Sequence, residues 1–122
     1  MMEKPEITTE HGVTIVCPGP EFDSIYESSL PELESILDLA NTVEPPRMIW
    51  DLTHTEYFGS AFLGFLVRVS NRLSVQRQGR FGICNLSKYC RAIITSAKMD
   101  KLFELFETRA DALAAFTKDE EA

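Results

Sequence analysis

The chain has 122 residues, of which 44% are hydrophobic and 25% charged, and its formal net charge is -7. This length and composition are typical of a single globular domain with a core of its own. The acidic balance argues against a surface for nucleic acid or anionic membrane, because phosphate groups are bound by basic patches.

Hydrophobic periodicity and turn residues divide the chain into alternating strands and helices. A loose start over residues 1–9 is expected, and residues 21–25 are either a short second strand or an extended connector. The predicted strands are Gly12–Pro18, Met48–Leu52, Arg80–Leu86 and Leu102–Phe106. The predicted helices are Ser28–Val43, Ser60–Gln78, residues 88–99 and residues 108–116, followed by a solvated, flexible tail over residues 117–122. This order predicts one α/β domain with a core over about residues 12–116 and a mostly parallel sheet of four to five strands with packed helices.

The three cysteines, Cys17, Cys84 and Cys90, lack the paired spacing of metal sites or disulfide frameworks. We therefore expect buried thiols and no metal. The familiar Gly-rich nucleotide motifs are absent from the sequence, so no cofactor is expected either.

The polar N-terminal segment lacks a secretory pattern, and the longest apolar run, residues 61–67, is too short to cross a bilayer. These features favour a cytoplasmic protein without direct membrane insertion.

The segment from Arg47 to Val69 is the functional centre of the sequence, with a buried strand, a polar loop and a helix that begins at Ser60. A serine at the start of a helix either caps it through its side-chain oxygen or carries a phosphate, which the free N–H groups and the dipole there tolerate. Both roles for Ser60 stay open at this point.

Other candidates lie around this segment. Phe65 is expected on the exposed side of the helix, as a contact patch. Arg68 begins a run of arginines, with Arg72, Arg77 and Arg80 after it, that is either a solvated face or a docking strip for an acidic partner. His54 near Glu56 lacks a nucleophile or a second acid, which favours a loop histidine over acid–base chemistry.

Three stretches in this order resemble the STAS domain family, the domain shared by sulphate transporters and anti-sigma factor antagonists. PEFD at residues 20–23 is similar to the family's G-E-L-D segment. IWDLTHTEYFGSAFLG at residues 49–64 is similar to its strand–loop–helix text V-D-L-S-x-V-x-x-I-D-S-S-G-L-G. LFELFETRADALAAF at residues 102–116 is similar to its closing strand and helix. The resemblance covers residues 12–116 and implies a single STAS-like domain.

Position by position, the resemblance places Ser60 on the serine that a partner kinase phosphorylates in the sigma-factor regulators. The motif is degenerate, because Gly59 stands where the family usually has Asp, and Ala61 and Phe62 replace the second Ser and a Gly. Asp23 matches an acidic residue that lies near the serine loop in the family, so it is a candidate for the partner surface. The alternative is that Asp23 only forms a turn. The candidate partner-binding residues are Asp23, Gly59, Ser60, Ala61, Gly64, Phe65 and Arg68.

The resemblance implies a non-enzymatic anti-sigma factor antagonist. Such a protein binds an anti-sigma factor with serine kinase activity and is switched off by phosphorylation at Ser60, while the partner holds ATP and magnesium. One alternative is a STAS scaffold that is never phosphorylated, a subunit of a transporter-associated or stress-signalling assembly. A second is a small enzyme with Cys84 or Cys90 as nucleophile, which requires a depressed thiol pKa in an open cleft. A homodimer is also left open.

Overall fold

The computed structural model describes residues 4–121, and for residues 119–121 it describes the main chain only. Its main sheet has five strands in the order β1-β2-β4-β6-β7, and a two-stranded sheet pairs β3 with β5. The strands are β1 (Glu6–Glu10), β2 (Val13–Cys17), β3 (Ser24–Ile25), β4 (Arg47–Asp51), β5 (Tyr57–Phe58), β6 (Arg80–Cys84) and β7 (Glu104–Phe106). The helices are α1 (Ser35–Thr42), α2 (Ser60–Ser74), α3 (Lys88–Ser96) and α4 (Arg109–Glu121).

β1 runs antiparallel to β2, and β2, β4, β6 and β7 run parallel to one another. The prediction of one α/β domain with a mixed, mostly parallel sheet is confirmed. Successive side chains of a strand point to opposite faces. In β4, Met48 and Trp50 pack with α1, α2 and α3, whereas Ile49 packs with Ala112 and Phe116 of α4. The sheet is therefore covered on both faces, as the near-continuous apolar run at residues 48–52 indicates.

Two segments near the ends of the chain have secondary structure that the sequence does not predict. Residues 6–10 form β1, where a loose start is expected, and α4 continues to Glu121, where a flexible tail is expected. Residues 1–3 and 122 lie outside the described part. β1 and β2 are joined at His11 and Gly12, both with positive φ (52° and 79°), which is the backbone of a tight hairpin turn.

The first predicted helix is split. A 3-10 helix occupies Glu27–Glu32, and α1 begins only at Ser35. Pro31 lies inside the 3-10 segment, in which Leu33 N donates to Leu30 O at 2.9 Å. Because proline cannot donate a backbone hydrogen bond, it fits this short tight helix better than the interior of a long α-helix.

The second helix ends earlier than predicted, at Ser74 instead of Gln78. Gln78 has a positive φ of 63°, and a Cβ atom on Gly79 would lie 1.7 Å from the carbonyl oxygen of Leu73. The chain therefore folds back tightly onto the end of α2, and only glycine fits at position 79.

Candidate functional site

Ser60 is the first residue of α2, and it does not cap the helix. The N-cap is Gly59, with extended φ and ψ of -89° and 175° and no side-chain cap. Ser60 is exposed, and within the described chain its hydroxyl group takes part in no hydrogen bond. The predicted capping role is therefore wrong: a cap needs a non-helical residue whose side chain reaches back to the first turn.

The small β3–β5 sheet holds the loop before Ser60 in place. The carbonyl oxygen of Asp23 accepts hydrogen bonds from the backbone N–H groups of Glu56 (2.8 Å) and Tyr57 (3.2 Å). Further along, Gly59 N donates to Ile25 O at 2.9 Å. The main chain of Asp23 thus supports the Ser60 loop, and its side chain is exposed.

Gly64 and Arg68 follow Ser60 at intervals of four residues, so the three share one side of α2. All three are exposed, and Ala61 is half-buried. A Cβ atom on Gly64 would meet no atom within 4 Å, which shows that this side of the helix is uncovered. The structure therefore brings Gly59, Ser60, Gly64 and Arg68 onto one surface.

Phe65 does not belong to that surface, and the prediction that it is an exposed contact is wrong. Its side chain is 0% exposed. The ring stacks on Phe62 with centroids 6.0 Å apart and meets Trp50 edge-on at 5.9 Å. Phe62 is likewise 0% exposed, so its bulk lies in the core instead of on the docking side of the helix.

Three exposed tyrosines lie around Ser60 that the sequence analysis does not single out. Tyr26, Tyr57 and Tyr89 are 50%, 41% and 67% exposed, and the rings of Tyr26 and Tyr57 lie 5.8 Å apart. Exposed tyrosine is enriched at protein interfaces, because it offers large contact area with few rotatable bonds. Tyr89 could have been found from the sequence, because it lies outside the buried positions of its helix, Cys90 and Ile94. A large aromatic side chain at such a position is exposed.

A groove of about 490 Å³ separates the start of α2 from α3, and we call it the α2–α3 groove. One side is lined by Tyr57, Ser60 and Leu63. The other side is lined by Tyr89, Ala92, Ile93, Ser96 and Ala97. Ser60 therefore lies at the edge of a concave, largely apolar surface.

Ser87 fixes α3 against this groove. Its Oγ accepts a hydrogen bond from Cys90 N at 3.0 Å, as the cap of α3, and donates one to the carbonyl oxygen of Glu56 at 2.7 Å. One hydroxyl group thus joins the helix start to the chain that leads into β5.

A second polar cluster lies at the carboxyl end of β4, around Asp51, which is 3% exposed. Its Oδ2 accepts from Arg109 Nε at 2.8 Å, and its Oδ1 accepts from Asn85 Nδ2 at 3.0 Å and from Thr53 N at 3.1 Å. Both carboxylate oxygens are therefore satisfied by the protein. Asp51 is a structural anchor between the sheet and α4.

The three cysteine thiols are buried, and none has the depressed pKa that the cysteine-enzyme alternative requires. Burial, and next the charge of Asp51, raise the pKa of Cys84 from its ordinary value of 9.0 to about 12. Burial also raises the pKa values of Cys17 and Cys90. Since the thiolate is the nucleophile, these thiols contradict the cysteine-enzyme alternative. His54 and Glu56 are exposed in the loop.

Among the described side chains, those of residues 4–118, no group of three or more His, Cys, Asp and Glu could hold a metal ion. In the same part of the chain, no helix is both long and apolar enough to cross a membrane.

The sequence profile of the STAS domain matches residues 4–112 of the chain. The anti-sigma-F factor antagonist RsfB of Mycobacterium tuberculosis is 29% identical over 109 residues, which are 88% of this chain and 84% of that protein. Two solved structures are also similar. An anti-sigma-factor antagonist (STAS) domain protein from Planctomyces limnophilus has a TM-score of 0.89 and 27% identity, over 94% of this chain and 99% of that one. An anti-sigma factor antagonist from Mycobacterium paratuberculosis has a TM-score of 0.80 and 27% identity, over 93% and 92%.

Proposed function

The chain belongs to the STAS domain family, and from this premise we propose that it is an anti-sigma factor antagonist. It binds an anti-sigma factor and so frees a sigma factor for transcription. The names of the relative from Mycobacterium tuberculosis and of the two similar structures support this proposal. The partner contacts the surface around the start of α2, with Gly59, Ser60, Gly64 and Arg68 at its centre.

The observation that carries the regulatory part is the exposed, unbonded hydroxyl group of Ser60 in the first turn of α2. A kinase needs such access to a serine. A phosphate adds about -1.5 to -2 charges at neutral pH, and the N-terminal end of a helix tolerates an anion. Phosphorylation of Ser60 therefore leaves the domain folded and blocks the partner by bulk and charge. In this proposal the anti-sigma factor is itself the serine kinase.

Intact-mass analysis tests the kinase step. The purified chain is incubated with ATP, magnesium and each anti-sigma factor of the source organism, expressed singly. We expect the wild type to gain one phosphate and the Ser60→Ala variant to gain none. A phosphate on both proteins would place the modified residue elsewhere.

Calorimetric titration tests the switch. Ser60→Asp should weaken binding to the anti-sigma factor by about tenfold or more, since a buried charge in an interface costs several kcal/mol. The matched control is Ser35→Asp, which puts the same charge at the exposed first residue of α1 and should bind like the wild type. Wild-type affinity in the Ser60→Asp variant would contradict the switch.

A second candidate function is a STAS scaffold that is never phosphorylated. The replacement of neighbouring motif residues by Gly59, Ala61 and Phe62 favours it. The two functions differ in one result: a scaffold binds its partner but gains no mass with ATP. In that case Ser60 is a contact residue without a regulatory role.

A further inference from the structure

The charges of this chain are divided between two parts of its length. Residues 60–103, from α2 to the end of the α3 segment, hold eight of the twelve Lys and Arg residues but only one of the nineteen Asp and Glu residues. The rest of the chain holds four basic and eighteen acidic residues. A strongly basic segment is therefore built into an acidic protein.

The basic groups of this segment do not all face solvent freely. Arg80 pairs with Glu104 at 2.7 Å and lies over the ring of Phe116 at 4.4 Å, so it packs against β7 and α4. The predicted docking strip therefore loses Arg80. Arg68 and Lys88 remain exposed, one on each of the two helices that border the α2–α3 groove. Among the described residues, neither has a carboxylate within ion-pair distance.

The α2–α3 groove lies inside this basic segment. Its lining is mostly apolar, with Leu63 on α2, Ile93 on α3, and Ala92 exposed on the α3 side. Tyr57 and Tyr89 also line it. An apolar cleft with exposed cations on both of its bordering helices matches a segment that carries an apolar side chain between carboxylates.

We propose that the α2–α3 groove binds an acidic amphipathic segment of the partner protein, with one aliphatic or aromatic side chain inserted between Leu63 and Ile93. This inference rests on the proposed function and adds the chemistry of the partner's contact surface. It also explains why a phosphate blocks binding: a dianion on Ser60 lies at the end of the groove, where the partner's carboxylates approach.

Charge reversal tests the electrostatic part. Arg68→Glu combined with Lys88→Glu should weaken binding to the anti-sigma factor about tenfold, mainly through a slower association rate and a smaller dependence on salt. The control is Lys118→Glu, because Lys118 is exposed on α4, which covers the opposite face of the sheet. Tighter binding by the double variant would mean a basic partner surface and would overturn the proposal.

Filling the groove tests the apolar part. Ala92→Tyr should occupy the cleft and weaken binding by at least about tenfold, as loss of a central anchor does. The control is Ala114→Tyr, at an exposed position of α4, and this variant should bind like the wild type. Both variants should keep the thermal midpoint of the wild type, because both sites are exposed.

The outcomes distinguish failure of the proposed function from failure of the groove as the docking site. If the wild type binds no anti-sigma factor, the proposed function fails and this inference fails with it. If the wild type binds and the groove variants bind equally well, only the inference is overturned. Loss of binding in Ala92→Tyr and in the charge-reversed variant, with both controls intact, establishes the groove as the docking site.

Discussion

Arg109 Nε donates a hydrogen bond of 2.8 Å to Asp51 Oδ2, although 58 residues separate them in the chain. Arg109 is the first residue of α4, and Asp51 is the last residue of the central strand β4. Arg109 also reaches Glu10 of the β1–β2 hairpin at 3.4 Å. One guanidinium group therefore joins three parts of the fold that are far apart in sequence.

Removing this guanidinium should destabilise the protein. Arg109→Ala leaves the Asp51 carboxylate buried without its cation, which costs about 3–5 kcal/mol in fully buried pairs. Because the Arg109 side chain is 30% exposed, we expect a smaller loss, about 2 kcal/mol of unfolding free energy. Urea denaturation measures it.

The matched control is Arg91→Ala. Arg91 pairs with Glu107 at 3.6 Å, and both side chains are well exposed, so the loss should stay below about 0.5 kcal/mol. Equal losses in the two variants would show that Asp51 does not depend on Arg109.

Alanine substitutions at Phe65 and Tyr89 should have different effects, the first on the stability of the fold and the second on partner binding. Phe65→Ala removes a fully buried ring and should cost about 3–5 kcal/mol of unfolding free energy. Tyr89→Ala should change stability by no more than about 0.5 kcal/mol yet weaken partner binding by more than about 1 kcal/mol. Urea denaturation and calorimetric titration give the two numbers, and the reverse pattern would restore Phe65 as a contact residue.

The buried thiol of Cys84 should make the protein sensitive to high pH. Its pKa is about 12 when folded and 9.0 ordinarily, so the folded state holds the proton more tightly. Its contribution to stability is complete below pH 9.0 and is lost as the pH rises towards 12. The thermal midpoint should therefore fall between these limits. In Cys84→Ala the midpoint is lower throughout, but its fall with pH should be shallower; an unchanged slope would rule out this thiol as the cause.

Ser87→Ala should loosen α3. The variant loses the helix cap and the bond to Glu56 O, which together should cost about 1–2 kcal/mol. Hydrogen exchange at the Cys90 amide should accelerate. Ser74→Ala, at the exposed end of α2, is the comparison and should leave that amide unchanged.

Elements with a strong apolar pattern were predictable from the sequence. β4 contains most of the near-continuous apolar run at residues 48–52, which predicts its burial on both faces. The cap of α4 was also predictable, since Thr108 Oγ1 accepts from Asp111 N at 3.1 Å as the spacing indicates.

β1 was missed because its side chains carry no apolar alternation. Ile7 is its one large apolar residue, and the burial of its strand is poor on both faces. β1 pairs with β2 through the tight turn at His11 and Gly12. In the sequence, only the glycine indicates this turn.

The candidate site was partly predictable. The position of Ser60 at the start of α2 follows from the sequence, but its exposure does not. Helical periodicity puts Phe62 and Leu66 on one apolar stripe and left Phe65 on the exposed side, because it does not show how far the neighbouring elements cover the helix. Trp50 of β4 does cover Phe65, and α3 supplies the tyrosine and the groove wall that local patterns left out.

The free edge of β1 bears on aggregation. An unpaired strand edge is a template for the addition of further strands. If two copies met there antiparallel about Thr8, Glu6 of one copy would stand opposite Glu10 of the other at both ends of the strand. Like charges that face each other across strands repel. These two glutamates therefore oppose edge-to-edge pairing of two copies, with the repulsion reduced because Glu10 is paired with Arg109 at 3.4 Å.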